Sequence, residues 1–233
     1  MGALVCTIFA VIAAAPTFAQ DDKPSIDRST LPTSADSPNA FVPKGWKIEE
    51  KISGDLTGDG KADLALKLIE DKPASTEDKI SERNRALIVL FAGGEAKYRL
   101  AAVNDRLLQC TACGGAFYGV VDAPANVSIA KGVLVVDQEH GSRDVTNTTY
   151  RFRYDGQPDM LILIGFDYAT RDRAAGGVWT ESTNYLTGKR ITTIDKGKKS
   201  TTKTTTVAKD RMSLEEVDGE KMDEQATHRL GLD

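Results

Sequence analysis

From Gly54 to Leu64 the chain reads Gly-Asp-Leu-Thr-Gly-Asp-Gly-Lys-Ala-Asp-Leu, which sets oxygen donors at alternate positions: Asp55, Thr57, Asp59, the Lys61 carbonyl and Asp63. Hard divalent cations such as Ca2+ take about six to eight oxygen ligands, and a short loop supplies them by alternating carboxylates around one sharp turn. Gly60 stands where that turn needs a backbone conformation that glycine adopts cheaply. Carboxylates crowded this closely repel one another by about a kcal/mol per pair at surface dielectric, and a bound cation relieves that repulsion. The competing reading is a turn that needs no metal, because Asp-Gly is a hairpin signal by itself. An EF-hand loop would place a bidentate Glu at its twelfth position. Leu66 stands there instead. Leu64, Leu66 and Leu68 alternate with Ala65, Lys67 and Ile69, so the chain leaves the loop as a strand with one apolar face. The spacing predicts a strand-loop-strand clip closed by Asp63, in which Ca2+ is structural.

Two other groupings carry chemistry. Asp137-Gln138-Glu139-His140-Gly141-Ser142-Arg143-Asp144 gathers acid, base, hydroxyl and cation. General acid-base catalysis needs such groups within hydrogen-bond reach in a cleft. On a strand Asp137 and Glu139 would share one face and His140 would point elsewhere, while polar turns use the same residue types. A hydrolase built on Asp137, Glu139 and His140 therefore competes with a solvated loop. Only His140 and His228 occur, which excludes a multi-histidine metal site, and the chain has neither G-x-S-x-G nor a phosphate-binding G-x-x-x-x-G-K-[ST]. Cys110 and Cys113 form a C-x-x-C pair with three readings: a disulfide, a redox pair or half a zinc site. A redox pair normally opens a helix, whereas Gly114-Gly115 follows here, and no second Cys pair lies near for zinc. An oxidising compartment favours a disulfide that pins a turn, with a thiol-disulfide protein as the alternative.

The D-x-T-x-D-G-x-x-D loop between two strands resembles the FG-GAP and VCBS-type repeats of integrin-like propellers and bacterial surface proteins, over about a dozen residues and once in the chain. Thr57 departs from the Asp or Asn usual in that pattern and brings no charge, which implies filling at the high calcium levels found outside cells. A looser resemblance spans most of the chain. Phe41-Val42-Pro43-Lys44-Gly45-Trp46, the loop, Cys110-Thr111-Ala112-Cys113-Gly114-Gly115, Tyr150-Arg151-Phe152-Arg153-Tyr154 and Asn184-Tyr185-Leu186-Thr187-Gly188-Lys189 follow in an order similar to a group of uncharacterised bacterial exported proteins with a VCBS-like segment. That resemblance implies an exported location and a β fold.

The elements that must hold these groups are short strands. Leu4 to Ala15 is apolar and closes with Pro16-Thr17-Phe18-Ala19, which reads as a signal peptide over 1–19 cut after Ala19. Met1-Gly2-Ala3 lacks the usual basic residues, which points to a start further upstream. Residues 20–40 are rich in Asp, Ser, Pro and Thr and read as a flexible leader. The β domain is expected over 41–207, with a charged tail over 208–233 that holds a short strand or helix around Met212–Val217. Strands are expected at 41–52, 64–69, 86–92, 97–103, 116–121, 126–130, 133–137, 148–154, 160–168, 179–186, 190–195 and 201–207, and a helical turn at 77–81. That number would make three propeller blades, too few to close. The predicted fold is all-β, an antiparallel meander or irregular sandwich, propeller-blade-like in its pieces but not a closed propeller.

In 233 residues, 30 basic and 34 acidic side chains give a net charge of −4, which argues against nucleic acid as a partner. Lys196-Gly197-Lys198-Lys199 reads as a solvated hairpin tip, since no aromatic residues interleave with its charges. No stretch of the mature chain is apolar for the roughly eighteen residues that a spanning helix needs. These readings converge on a periplasmic or secreted, calcium-stabilised binding or structural module of the cell envelope, non-catalytic, whose partner is an envelope protein or polysaccharide.

Overall fold

The computed structural model describes residues 25–77, 79–94, 96–119, 121–157 and 159–232. The expected signal peptide lies outside them. The first of two antiparallel sheets holds β1 (Ser34–Ala35), β2 (Trp46–Gly54), β3 (Asp63–Glu70), β4 (Arg85–Ala92) and β5 (Tyr98–Asn104), in the order β1-β5-β4-β3-β2. The second is an uninterrupted meander of β6 (Ala125–Ala130), β7 (Val133–Gly141), β8 (Asp144–Asp155), β9 (Met160–Asp172), β10 (Val178–Asn184), β11 (Lys189–Asp195) and β12 (Ser200–Thr206). Helix α1 (Gly219–Leu230) follows. Neither sheet closes into a barrel, so the predicted all-β class and the antiparallel meander are the observed ones.

Why β4 is an unbroken apolar run becomes clear from its two faces. Leu87, Val89 and Phe91 join Ala65 of β3 against the second sheet, in a core that includes Tyr150, Phe152, Leu163 and Phe166. Ala86, Ile88 and Leu90 point the other way, with Leu66 and Leu68, into a second core closed by Leu31 and Phe41. A strand covered on both faces has no polar side to show, hence no alternation.

That second core corrects the flexible leader. Asp27 caps a single 3-10 turn at Arg28–Thr30, Ser37 caps another at Pro38–Phe41, and β1 pairs with β5 between them. The composition is polar, yet two large apolar side chains at the right places suffice to cover one sheet face. The charged tail is corrected similarly. Ser213 and Glu216 form a capping box around Leu214–Glu216, and α1 runs from the Asp218 N-cap to Gly231. Met222, Ala226 and Leu230 recur every four residues and are buried in the main core, so the tail is an amphipathic helix. The strand expected at 116–121 is not found among its described residues: 116–119 is a turn instead, in which Gly119 takes positive φ. Likewise, 77–81 contains no helical turn among its described residues.

The sheets meet closely where β2 ends. A Cβ added to Gly54 would lie 2.5 Å from Ile129 Cγ2 and 2.9 Å from its Cβ. Gly54→Ala is therefore expected to cost about 1–3 kcal/mol through overpacking, read as a lower urea midpoint at unchanged slope. An unaltered midpoint would mean that β6 gives way there without cost.

Candidate functional site

β2 and β3 pair from Trp46 opposite Glu70 to Gly54 opposite Asp63, and the candidate loop joins their ends as the expected strand-loop-strand unit. Leu56 is buried in the main core and anchors the loop to it. Gly58 and Gly60 both take φ of 81°, which lets the chain double back twice in three residues. Asp55 Oδ1 accepts from the Gly58 amide at 2.6 Å, and its Oδ2 from the Gly60 amide at 2.9 Å. Asp59 Oδ1 accepts from the Lys61 amide at 2.9 Å, and the Lys61 ammonium lies 3.4 Å from Oδ2. The Lys61 amide is the main reason the Asp59 carboxyl sits below the usual carboxylate range.

Asp63, expected to complete the cation shell, serves the loop from behind. It is 0% exposed. Its Oδ2 accepts from the amides of Leu56 and Thr57 at 2.8 and 3.1 Å, and its Oδ1 from that of Ala92 at 2.7 Å. One carboxylate thus fastens the loop to the end of β4. The Thr57 hydroxyl is buried and makes no hydrogen bond of good geometry, but it lies near the Asp59 carboxylate and is the least of the groups that hold that carboxyl down. Among the described residues no three His, Cys, Asp or Glu side chains converge on one point. The remaining donors, the Asp55 and Asp59 carboxylates, the Thr57 hydroxyl and the Lys61 carbonyl, are all hard oxygens, the type that calcium selects.

Cys110 and Cys113 form a disulfide, and the Cys113 amide donates to the Cys110 carbonyl at 3.2 Å. Cys110 is buried and Cys113 exposed. The bridge pins a turn in the crossing from β5 to β6.

The polar segment at 137–140 is strand rather than loop, and the strand separates its residues. Asp137 accepts from Thr149 at 2.6 Å, and Glu139 accepts from Tyr118 and Asn147, each at 2.6 Å; Thr149 and Asn147 are the register partners on β8. Burial and the bond to Glu139 push the Tyr118 hydroxyl up to about 12, while Tyr118 and then Asn147 hold Glu139 below its ordinary range. His140 lies at an alternate position and meets Asp223 of α1, its Nε2 3.2 Å from Asp223 Oδ2. Asp137, Glu139 and His140 therefore do not converge, and the trio that the segment offered is not assembled.

His140 and Asp223 instead line an open-mouthed cavity of about 430 Å³ between β7, β8, residues 82–84, the 105–113 segment and the start of α1. Asp223 was missed because it sits in a stretch that reads as a charged tail. The signal that finds it is the four-residue spacing of Met222, Ala226 and Leu230, which makes that stretch a core-facing helix.

Fold and site together define a two-sheet antiparallel β protein with a carboxylate-fastened loop at one corner and a helix-capped cavity at another. Comparison with protein-family models, with curated proteins and with solved structures found no match. No helix among the described residues is long and apolar enough to cross a membrane.

Proposed function

We propose that this chain is an exported, calcium-stabilised, β-rich module of the bacterial cell envelope, periplasmic or secreted, which binds or supports an envelope protein or polysaccharide rather than catalysing a reaction. The observation that carries this reading is the loop: closely spaced hard-oxygen donors, held on two paired strands by the buried Asp63. Calcium would be held by the Asp55 and Asp59 carboxylates, the Thr57 hydroxyl and the Lys61 carbonyl. Its contribution is charge: a divalent cation offsets the carboxylates without proton chemistry. The signal-like segment 1–19 supports export, and the divergence of Asp137 and Glu139 from His140 weighs against the hydrolase those residues suggested.

Thermal unfolding with excess calcium and with chelator tests the reading. A ligand that binds only the folded state adds about 2.7 kcal/mol at a hundredfold excess over its dissociation constant. The midpoint is expected to rise with calcium, and Asp59→Ala to abolish the rise. Equal midpoints with calcium and chelator would remove the metal and leave the loop as a turn fastened by Asp63.

A further inference from the structure

The cavity beside α1 is a second place where this chain can take a ligand, independent of the calcium loop. Its volume, about 430 Å³, falls in the range of roughly 300–1,000 Å³ typical of small-molecule sites. Its walls are firm. Gln138 is held at both ends of its amide, Oε1 accepting from the Gln109 amide at 2.6 Å and Nε2 donating to the Leu107 carbonyl at 3.0 Å. Tyr150, 1% exposed, donates to the Gly219 carbonyl at 3.3 Å, and the Thr148 hydroxyl lies close to the same phenolic oxygen. Leu107 and Leu108 supply apolar surface between these polar groups.

The charge of the lining decides what fits. Four carboxylates, Glu82, Asp105, Glu220 and Asp223, face one permanent cation, Arg106. Arg106 is exposed and donates to the Glu215 carbonyl, and Asp105 accepts from the Ile26 amide, a neutral donor. Asp223 matters most. Oδ2 meets His140, but Oδ1 is buried and finds no donor in the protein. A carboxylate oxygen left in this state is costly, and the Asp223 side chain as a whole is 25% exposed, so a ligand in the cavity reaches the carboxylate from its exposed side. A helix N-terminus ordinarily attracts anions, but here the Asp218 carboxylate already accepts from the Lys221 amide. A cleft with an excess of one charge concentrates ligands of the other.

We propose that this cavity binds a small organic cation, a primary ammonium or guanidinium on a short carbon skeleton, with Asp223 as its counter-ion, Tyr150 and Gln138 as its polar contacts and Leu107 and Leu108 against its carbons. His140 positions the Asp223 carboxylate.

Calorimetric titration of the full chain in chelator, which keeps the calcium loop out of the measurement, tests the assignment. The probes are 1,5-diaminopentane and arginine methyl ester, with 1,5-pentanediol and glutarate as neutral and anionic controls of similar length. At least one cationic probe is expected to bind saturably at one site, with neither control binding. Asp223→Asn, nearly the same shape without the charge, is expected to weaken that binding about tenfold or more, as loss of a charge-assisted hydrogen bond does. Glu82→Gln, on an exposed side chain, reduces the same field without touching the core and is expected to weaken binding about two- to threefold at low salt. It serves as the reading if Asp223→Asn unfolds. The proposal is overturned if neither cation binds, if glutarate binds more tightly than they do, or if the folded Asp223→Asn protein binds as the unaltered chain does.

Discussion

Asp63→Ala is expected to lower stability by about 3–5 kcal/mol even with all calcium chelated, because the substitution strips the acceptor from three backbone amides at once. Leu56, Thr57 and Ala92 all donate to that carboxylate, and Ala92 lies 29 residues away in sequence. An unmet buried amide costs about 1–3 kcal/mol, and water entering the vacated space would serve some of the three, which sets the range below the simple sum. Asp63→Asn keeps one oxygen but turns a donor toward a donor, so about 2 kcal/mol is expected for it. Urea unfolding monitored by tryptophan fluorescence decides the matter: a loss under about 1 kcal/mol for Asp63→Ala would show that the loop is loosely held and that its carboxylates do little without metal. The result also conditions the calcium test, since a loop already fastened at Asp63 has less disorder left for a cation to remove.

The second large effect concerns α1. Glu181 on β10 is 1% exposed and accepts from Arg229 through both of its oxygens, at 2.7 Å each, with Arg190 3.3 Å from Oε1. Arg229 belongs to the last turn of α1, so this fork fastens the helix to the sheet at the end opposite the cavity. Breaking a buried ion pair by removing one partner costs about 3–5 kcal/mol. Glu181→Ala is expected near the low end of that range, because the partly exposed Arg229 can turn to solvent. Hydrogen exchange should show the loss locally, as reduced protection over 219–230 while β3 and β4 keep theirs. Replacing the pair together, Glu181→Leu with Arg229→Met, is expected to recover part of the loss, since apolar packing often substitutes for a buried pair without penalty. Unchanged protection across α1 in Glu181→Ala would mean that Met222, Ala226 and Leu230 hold the helix alone. The same variant should weaken cation binding, because Asp223 and Gly219 reach the cavity from this helix.

Much of the architecture is legible in local pattern. Alternation and glycine-rich turns mark the hairpins that became β4–β5, β8–β9 and β10–β11, and the threonine-rich stretch became the edge strand β12. The loop from Asp55 to Asp63 is equally legible, because carboxylate and glycine spacing within nine residues is a local property. The close pair of cysteines is legible too, but its spacing allowed three readings, of which the structure has the disulfide.

Distant partners decided the rest. Nothing near Leu31 or Phe41 announces that the apolar outer face of β3 and β4 needs a cover, so a polar leader reads as flexible until that face is seen. The 209–230 stretch is dominated by charge, and three small or medium apolar residues at four-residue spacing become a core contact only when a sheet lies beneath them. Strand register then settled the chemistry: a period of two sends Asp137 and Glu139 to Thr149, Asn147 and Tyr118, and sends His140 to a helix whose position the local sequence does not contain. By itself the sequence determined strand periodicity, the loop's spacing of carboxylates and glycines and the cysteine turn, all of which depend on neighbours within one or two turns. The tertiary structure alone decided which carboxylate became a buried fastener and which became the wall of a cavity, because burial and pairing depend on surfaces that are far apart in the chain.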